Sequence, residues 1–242
     1  MTLVEQMKKM VEAATGLAKP RKEELPALVK PRAARLHHFE DDGKTPNNAA
    51  LPLMIYRSAV HRRRGLDPAA IFEVLFAANG WKSSWRDGIY DFLHFHTRTH
   101  EVLGIARGEA RVQFGGDKGR TVSLKSGDVI VVPAGTGHRR ISASEDLLVV
   151  GAYPSSAGRY DEPKPGELDH RTAVRRIAKV APPTHDPVYG QDGPLMKAWR
   201  RRSDGERNWP EPPGLRVGRP AQGAGTSPRT NWVNLWWGEK RL

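Results

Sequence analysis

The run Gly88-Ile89-Tyr90-Asp91-Phe92-Leu93-His94-Phe95-His96-Thr97-Arg98-Thr99-His100-Glu101 sets two histidines two residues apart, with a carboxylate five residues after the second. Further on, Gly127-Asp128-Val129-Ile130-Val131-Val132-Pro133-Ala134-Gly135-Thr136-Gly137-His138 adds a third imidazole behind a Pro-Ala-Gly-Thr-Gly turn. In an extended strand, residues i and i+2 share a face. His94 and His96 are therefore expected to project together, with Tyr90 and Phe92 beside them. Antiparallel neighbours lie about 4.8 Å apart, close enough for Glu101 and His138 to meet the same ion from adjoining strands. Three neutral imidazoles and one carboxylate suit one divalent transition metal: Fe, Mn, Ni, Co, Cu or Zn. His100 falls on the opposite strand face from Glu101, so Glu101 is the expected ligand. Arg140 shares parity with His138 and, with Tyr90 and Phe92, is expected to line a substrate pocket.

Working outward, the chain breaks into short apolar stretches punctuated by Gly108, Gly115-Gly116, Gly119, Gly127 and Gly135. The expected strands are Ile89–His96, Glu101–Ala106, Ala110–Phe114, Arg120–Leu124, Asp128–Val132, His138–Ser142 and Leu147–Tyr153. Many short strands at this spacing predict an all-β sandwich or barrel rather than a parallel α/β sheet. Upstream, Leu51–Val60 reads as an entry strand. Asp67-Pro68 opens a helix, an N-cap acceptor followed by proline at the first helical position. Ile71, Val74, Leu75 and Ala78 form its apolar face, and Asn79-Gly80 closes it. Trp81 and Trp85 are expected in a loop, as lids or packing plates. Asp169–Val180 reads as a second helix, and Thr184 to Trp199 as a short extension. His37 and His38 are expected at the surface, and Arg62-Arg63-Arg64 as a solvated basic turn.

The 242 residues include no cysteine, which excludes a disulfide framework and thiolate metal sites and fits a reducing cytoplasm. No apolar run approaches the roughly 20 residues that span a bilayer. Residues 1–18 lack a secretory core, because Glu5, Lys8, Lys9 and Glu12 interrupt it. The net charge of +12 suggests nucleic acid until it is divided along the chain. Residues 1–35 carry 8 Lys/Arg against 4 Asp/Glu, residues 200–242 carry 9 against 4, and residues 36–199 carry 22 against 19. Basicity is a property of the ends, and no aromatic-basic recognition pattern lies between them. Three parts are expected: 1–35, a helix from Thr2 to Leu17 and a linker over Lys19–Pro31; 36–199, one domain; and 200–242, a Gly/Pro/Arg-rich disordered tail ending in Trp232, Trp236 and Trp237.

The two motifs, G-x5-H-x-H-x4-E-x6-G from Gly88 to Gly108 and G-x5-P-x-G-x2-H from Gly127 to His138, resemble the paired signatures of the cupin superfamily. There the matching histidines and glutamate are the usual metal ligands. Ser142 stands where the family carries asparagine, a position that is not a ligand. A closer resemblance, to the YjlB-like bacterial single-domain cupins, rests on Phe39-Glu40-Asp41-Asp42-Gly43, Pro46-Asn47-Asn48, His100-Glu101-Val102-Leu103-Gly104, Val150-Gly151-Ala152-Tyr153-Pro154 and Asp186-Pro187-Val188-Tyr189-Gly190. The resemblance implies a double-stranded β-helix (jelly-roll) barrel with a few flanking helices and flexible termini. It also implies a metal. Four ligands on an octahedral metal leave positions for substrate, water or O2, so the expected function is a metal-dependent enzyme acting on a small organic molecule by dioxygenase-, isomerase- or decarboxylase-type chemistry. The alternative is a non-catalytic small-molecule or metal-binding module. A small-molecule ligand is the expected partner; a homodimer is left open, and neither membrane nor nucleic acid is expected.

Overall fold

The computed structural model describes residues 17–156 and 158–199. Among the described residues, nine strands form two antiparallel sheets. The strands are β1 (Ala34–His37), β2 (Leu53–Tyr56), β3 (Trp81–Asp87), β4 (Glu101–Arg107), β5 (Glu109–Phe114), β6 (Arg120–Lys125), β7 (Val129–Val132), β8 (His138–Ala143) and β9 (Leu148–Pro154). One sheet runs β1-β2-β7-β4-β9-β3 and the other β6-β5-β8. This is the jelly-roll barrel, with four helices around it: α1 (Leu25–Leu28), α2 (Pro68–Ala78), α3 (His170–Ile177) and α4 (Pro194–Ala198).

The larger sheet is covered on both faces, which is why β2, β4 and β7 read as nearly unbroken apolar runs instead of alternating. On one face, Leu53, Ile55, Leu103, Ile105, Ile130 and Val132 pack against Val112, Phe114 and Leu124 of the smaller sheet. On the other, Met54, Tyr56, Val102, Val131 and Val150 pack against Ile71, Phe72, Leu75 and Phe76 of α2 and against Leu195 and Trp199. Residues of opposite parity on each strand thus build separate cores. Gly104 is the contact point with α2. A Cβ there would lie 2.3 Å from Phe72 Cδ1, so a side chain would push the helix off the sheet.

Helix α2 starts where the sequence says. The Asp67 carboxylate accepts the Ala69 N–H at 3.0 Å, and Asn79-Gly80 ends it with Gly80 at φ +77°. Asp169 caps α3 in the same way, accepting the Thr172 N–H at 2.8 Å.

Three expectations change. Trp81 and Trp85 lie in strand β3, not in a loop, with β3 pairing β9. The stretch 88–100 is irregular instead of a strand, tied to the barrel by one bridge between His94 and His138. Lys19–Pro31 packs instead of linking: Leu25 and Leu28 are buried in the main core, and Lys30 N–H donates to the Ala59 carbonyl at 2.9 Å. The helix expected over residues 2–17 and the tail 200–242 fall outside the described residues, Leu17 excepted. Among the described residues no helix is long and apolar enough to cross a membrane.

Candidate metal centre

Two reciprocal backbone hydrogen bonds set His94 beside His138: His138 N–H to the His94 carbonyl at 2.9 Å and His94 N–H to the His138 carbonyl at 3.3 Å. Their ring centroids are 4.2 Å apart. Gly135 N–H donates to the His96 carbonyl at 2.7 Å, so the turn before His138 is pinned to the first motif as well. Asn47 supports that turn from outside, its Oδ1 accepting the Gly137 N–H at 3.2 Å and its Nδ2 donating to the Gly115 carbonyl at 3.1 Å. Glu101 opens β4 opposite Val132. The four side chains meet: Glu101 Oε2 lies 3.3 Å from His96 Nε2 and 3.4 Å from His138 Nε2. All four residues are buried.

Each imidazole is oriented through its far nitrogen. Nδ1 of His94 faces the Phe92 carbonyl at 3.2 Å, Nδ1 of His96 the Asp161 carbonyl at 2.5 Å, and Nδ1 of His138 the Thr136 carbonyl at 3.1 Å. A carbonyl only accepts, so each Nδ1 carries the proton. In the neutral ring Nε2 is then the free donor atom. His94, His96 and His138 offer ligand atoms within 4.8 Å of one another, a group that can hold a metal ion. The donor set of three Nε2 atoms and one carboxylate oxygen fits a divalent transition metal.

The electrostatics fit too. Burial, then the nearby charge of His138 and His96, pushes His94 down to about 3, so it stays neutral. Burial alone would raise the Glu101 carboxyl, but the His96 charge and hydrogen bonds from His138 and His96 outweigh it and hold Glu101 ionised. His96 feels the reverse balance. Burial opposes its protonation, while Glu101 and the Asp161 carbonyl raise it.

The remaining candidates separate. His100 does not join the cluster: its Nδ1 accepts the Ala134 N–H at 2.9 Å and its ring packs on Trp199 at 4.8 Å. His37 stacks near Phe39 and His170 contacts Asp41. Tyr90 lines a cavity of about 350 Å³ above His94, Glu101 and His138. Phe92 stacks on Tyr90 at 4.6 Å but does not line that cavity. Arg140 does not line it either; its Nη2 lies 3.9 Å from Asp91 Oδ2. Its backbone N–H donates to the Tyr90 carbonyl at 2.7 Å.

Trp85, Tyr153 and Tyr160 complete the wall, and the sequence reading missed the two tyrosines. Tyr153 was legible in principle. Leu103 pairs with Gly151 across β4 and β9, and Tyr153 lies two residues on, sharing that face. Gly151 leaves room for Trp85, since a Cβ there would lie 2.1 Å from Trp85 ring carbons. The Trp85 indole N–H donates to the Tyr153 hydroxyl at 2.9 Å.

Comparison with known proteins gives the family. Residues 87–150 match the family model described as "Cupin domain". The chain is 38% identical over 168 residues to "Uncharacterized protein YjlB" of Bacillus subtilis, across 69% of this chain and 98% of the relative. It is a cupin of the YjlB family. This cupin also overlaps parts of solved structures. They include acireductone dioxygenase from Bacillus anthracis (19% identity, 37% of this chain and 61% of that one, TM-score 0.28). Another is the TDP-fucose-3,4-ketoisomerase WlaRA from Campylobacter jejuni (13% identity, 59% and 93%, TM-score 0.31). Overlaps of this extent carry nothing about the chemistry of this cupin.

Proposed function

We propose that this cupin holds one divalent transition metal with His94, His96, Glu101 and His138, and that it is an enzyme, of oxidoreductase or isomerase type, acting on a small organic molecule. The observation that carries the reading is the set of three Nδ1–carbonyl contacts, which turn three Nε2 lone pairs and the Glu101 carboxylate toward one point at the floor of a cavity. Such a metal supplies Lewis-acid polarisation of a substrate oxygen or, where redox-active, electron transfer.

The chain's own groups do the rest. Glu101 brings the one negative charge to the donor set. Asp161 fixes the His96 ring. Ile89, Leu103 and Trp85 keep the cavity apolar and limit water. The Tyr153 hydroxyl accepts from Trp85, and burial together with the Glu101 charge holds its own proton on. Four protein donors leave room on a six-coordinate ion, unlike a closed tetrahedral zinc site. All the site residues fall within 36–199, which we take as the cupin domain, with 1–35 and 200–242 as its extensions.

The test is an exogenous ligand. The iron(II) form is expected to bind nitric oxide or azide with a clear spectral change. A fully loaded protein that binds neither would mean a saturated, structural metal and a non-catalytic module.

A further inference from the structure

A second cavity, of about 370 Å³, opens where Thr97 and Arg98 meet the end of α3. Thr97, Arg98, Arg176, Lys179, Val180 and Ala181 line it, and it shares no lining residue with the cavity above Glu101. Three of its lining residues are cations, and no carboxylate lines it among the described residues. Arg98 follows the first motif, whereas Arg176 lies in the last turn of α3 and Lys179 just beyond it. Their charge is little neutralised. Arg98 Nε stands 3.9 Å from Asp161 Oδ2, and the Asp161 carboxylate already accepts the Thr97 N–H and hydroxyl. Arg176 and Lys179 form no ion pair among the described residues.

A plainer reading is that Arg176 and Lys179 only complement the negative end of α3. That end is worth about half an elementary charge. Its carbonyls are also partnered by backbone: Val174 accepts the Ala178 N–H at 3.0 Å, Arg176 the Lys179 N–H at 3.0 Å, and Ile177 the Val180 N–H at 3.1 Å. Nor does the helix end explain Arg98, which reaches the same cavity from another part of the chain. We propose that this second cavity is an anion site that takes a phosphoryl group, free or esterified to a small organic body. Two guanidinium forks and one ammonium suit a dianion with several free oxygens, because each Arg offers paired N–H donors. Val180 and Ala181 stand beside them for the organic body of an ester. The size agrees. A cavity of about 150 Å³ takes up benzene, so about 370 Å³ admits a phosphoryl group with a small body attached. The proposal does not rest on a metal at Glu101.

Phosphorus NMR on the full chain, loaded with zinc, tests this with inorganic phosphate and phenyl phosphate as probes. Two variants are compared with wild type. Arg176→Ser/Lys179→Ser removes two cations from the cavity, and Arg171→Ser/Arg175→Ser removes two from the same helix outside it. Binding of the tighter probe is expected to weaken about fivefold or more in the first variant, the loss of about 1 kcal/mol set by two exposed charge contacts, and to stay within about twofold in the second. Arg98→Ser, in a separate segment, is expected to weaken it as well and carries the test if the first variant does not fold. The probe that binds tighter names the source, free phosphate or an ester. Equal loss in the two helix variants means diffuse attraction to a basic chain and overturns the proposal. So does undiminished binding in the first variant, which puts the probe on the metal if His138→Ala abolishes it and on another basic segment if not. Binding of neither probe overturns it too. The expected losses in a protein that takes up no zinc support the proposal while removing the metal reading.

Discussion

The backbone carbonyl of Asp161 lies 2.5 Å from Nδ1 of His96, although 65 positions separate the two residues. The Asp161 carboxylate accepts the Thr97 N–H at 2.8 Å and also the Thr97 hydroxyl. One residue outside both motifs thus sets the tautomer of a central imidazole and clamps the backbone next to it. Asp161→Ala keeps the carbonyl that faces His96 but removes the carboxylate clamp on Thr97 that positions it, and is expected to lower metal affinity by about tenfold with the fold retained, the low end of the effect of disturbing an outer hydrogen-bond partner. Competition with a chelating dye gives the constant. Unchanged affinity would mean that the carbonyl at position 161 orients His96 without the clamp on Thr97.

Gly151 offers a second test. Alanine there places a Cβ against the Trp85 indole and must drive that ring from the cavity wall. We expect a loss of about 1–3 kcal/mol, as for other overpacked sites, with altered tryptophan fluorescence. Adding Trp85→Leu should restore the stability seen in thermal melts. A Gly151→Ala protein with wild-type melting and fluorescence contradicts the packing.

Most of the barrel was readable because β4 to β9 are bounded by glycine turns and carry apolar residues at strand spacing. The histidines were readable because residue type and spacing are local. β3 escaped notice for a physical reason: Lys82-Ser83-Ser84 is polar, Ser83 sits at φ +54°, and the pairing with β9 shifts between Lys82 and Trp85. An irregular edge strand has no clean alternation to detect. The reverse error occurred at 88–100. The alternation of Tyr90, Phe92, His94 and His96 is real, with successive ring centroids 4.6, 5.4 and 5.6 Å apart, but a loop with one bridge presents it. Asp161 and Tyr160 were beyond reach, because only the folded path of the chain brings them to His96.

Asp186 anchors the chain after α3. It is fully buried and accepts from the Tyr56 hydroxyl at 2.5 Å and from the N–H groups of Val188, Tyr189 and Leu195. Asp186→Ala orphans four donors and should cost about 3–5 kcal/mol, against about 1–2 kcal/mol for Tyr56→Phe, which removes one of them. Chemical denaturation checks both values. Since the anchor lies on the α2 side of the sheet, metal content should survive in the folded fraction.

His100 gives a pH signature separate from the four clustered residues. Burial pushes it down to about 3, so it stays neutral when folded and takes a proton near 6.5 when unfolded. Below 6.5 the unfolded chain binds more protons, and stability falls as pH drops from about 6.5 toward 3. His100→Gln keeps an acceptor for the Ala134 N–H and cannot titrate. Measured on metal-free protein by urea denaturation, the variant should lose up to about 1.4 kcal/mol per pH unit less than wild type in this window. Parallel stability curves would mean that His100 is protonated in the fold.

Metal content measured on protein purified without an affinity tag tests the account most directly. Near one divalent ion per chain is expected in wild type, with most of it lost in His96→Ala and in His138→Ala and little lost in His37→Ala or His170→Ala. Equal loss across all four variants, or a wild-type protein that takes up no divalent transition metal, would contradict it.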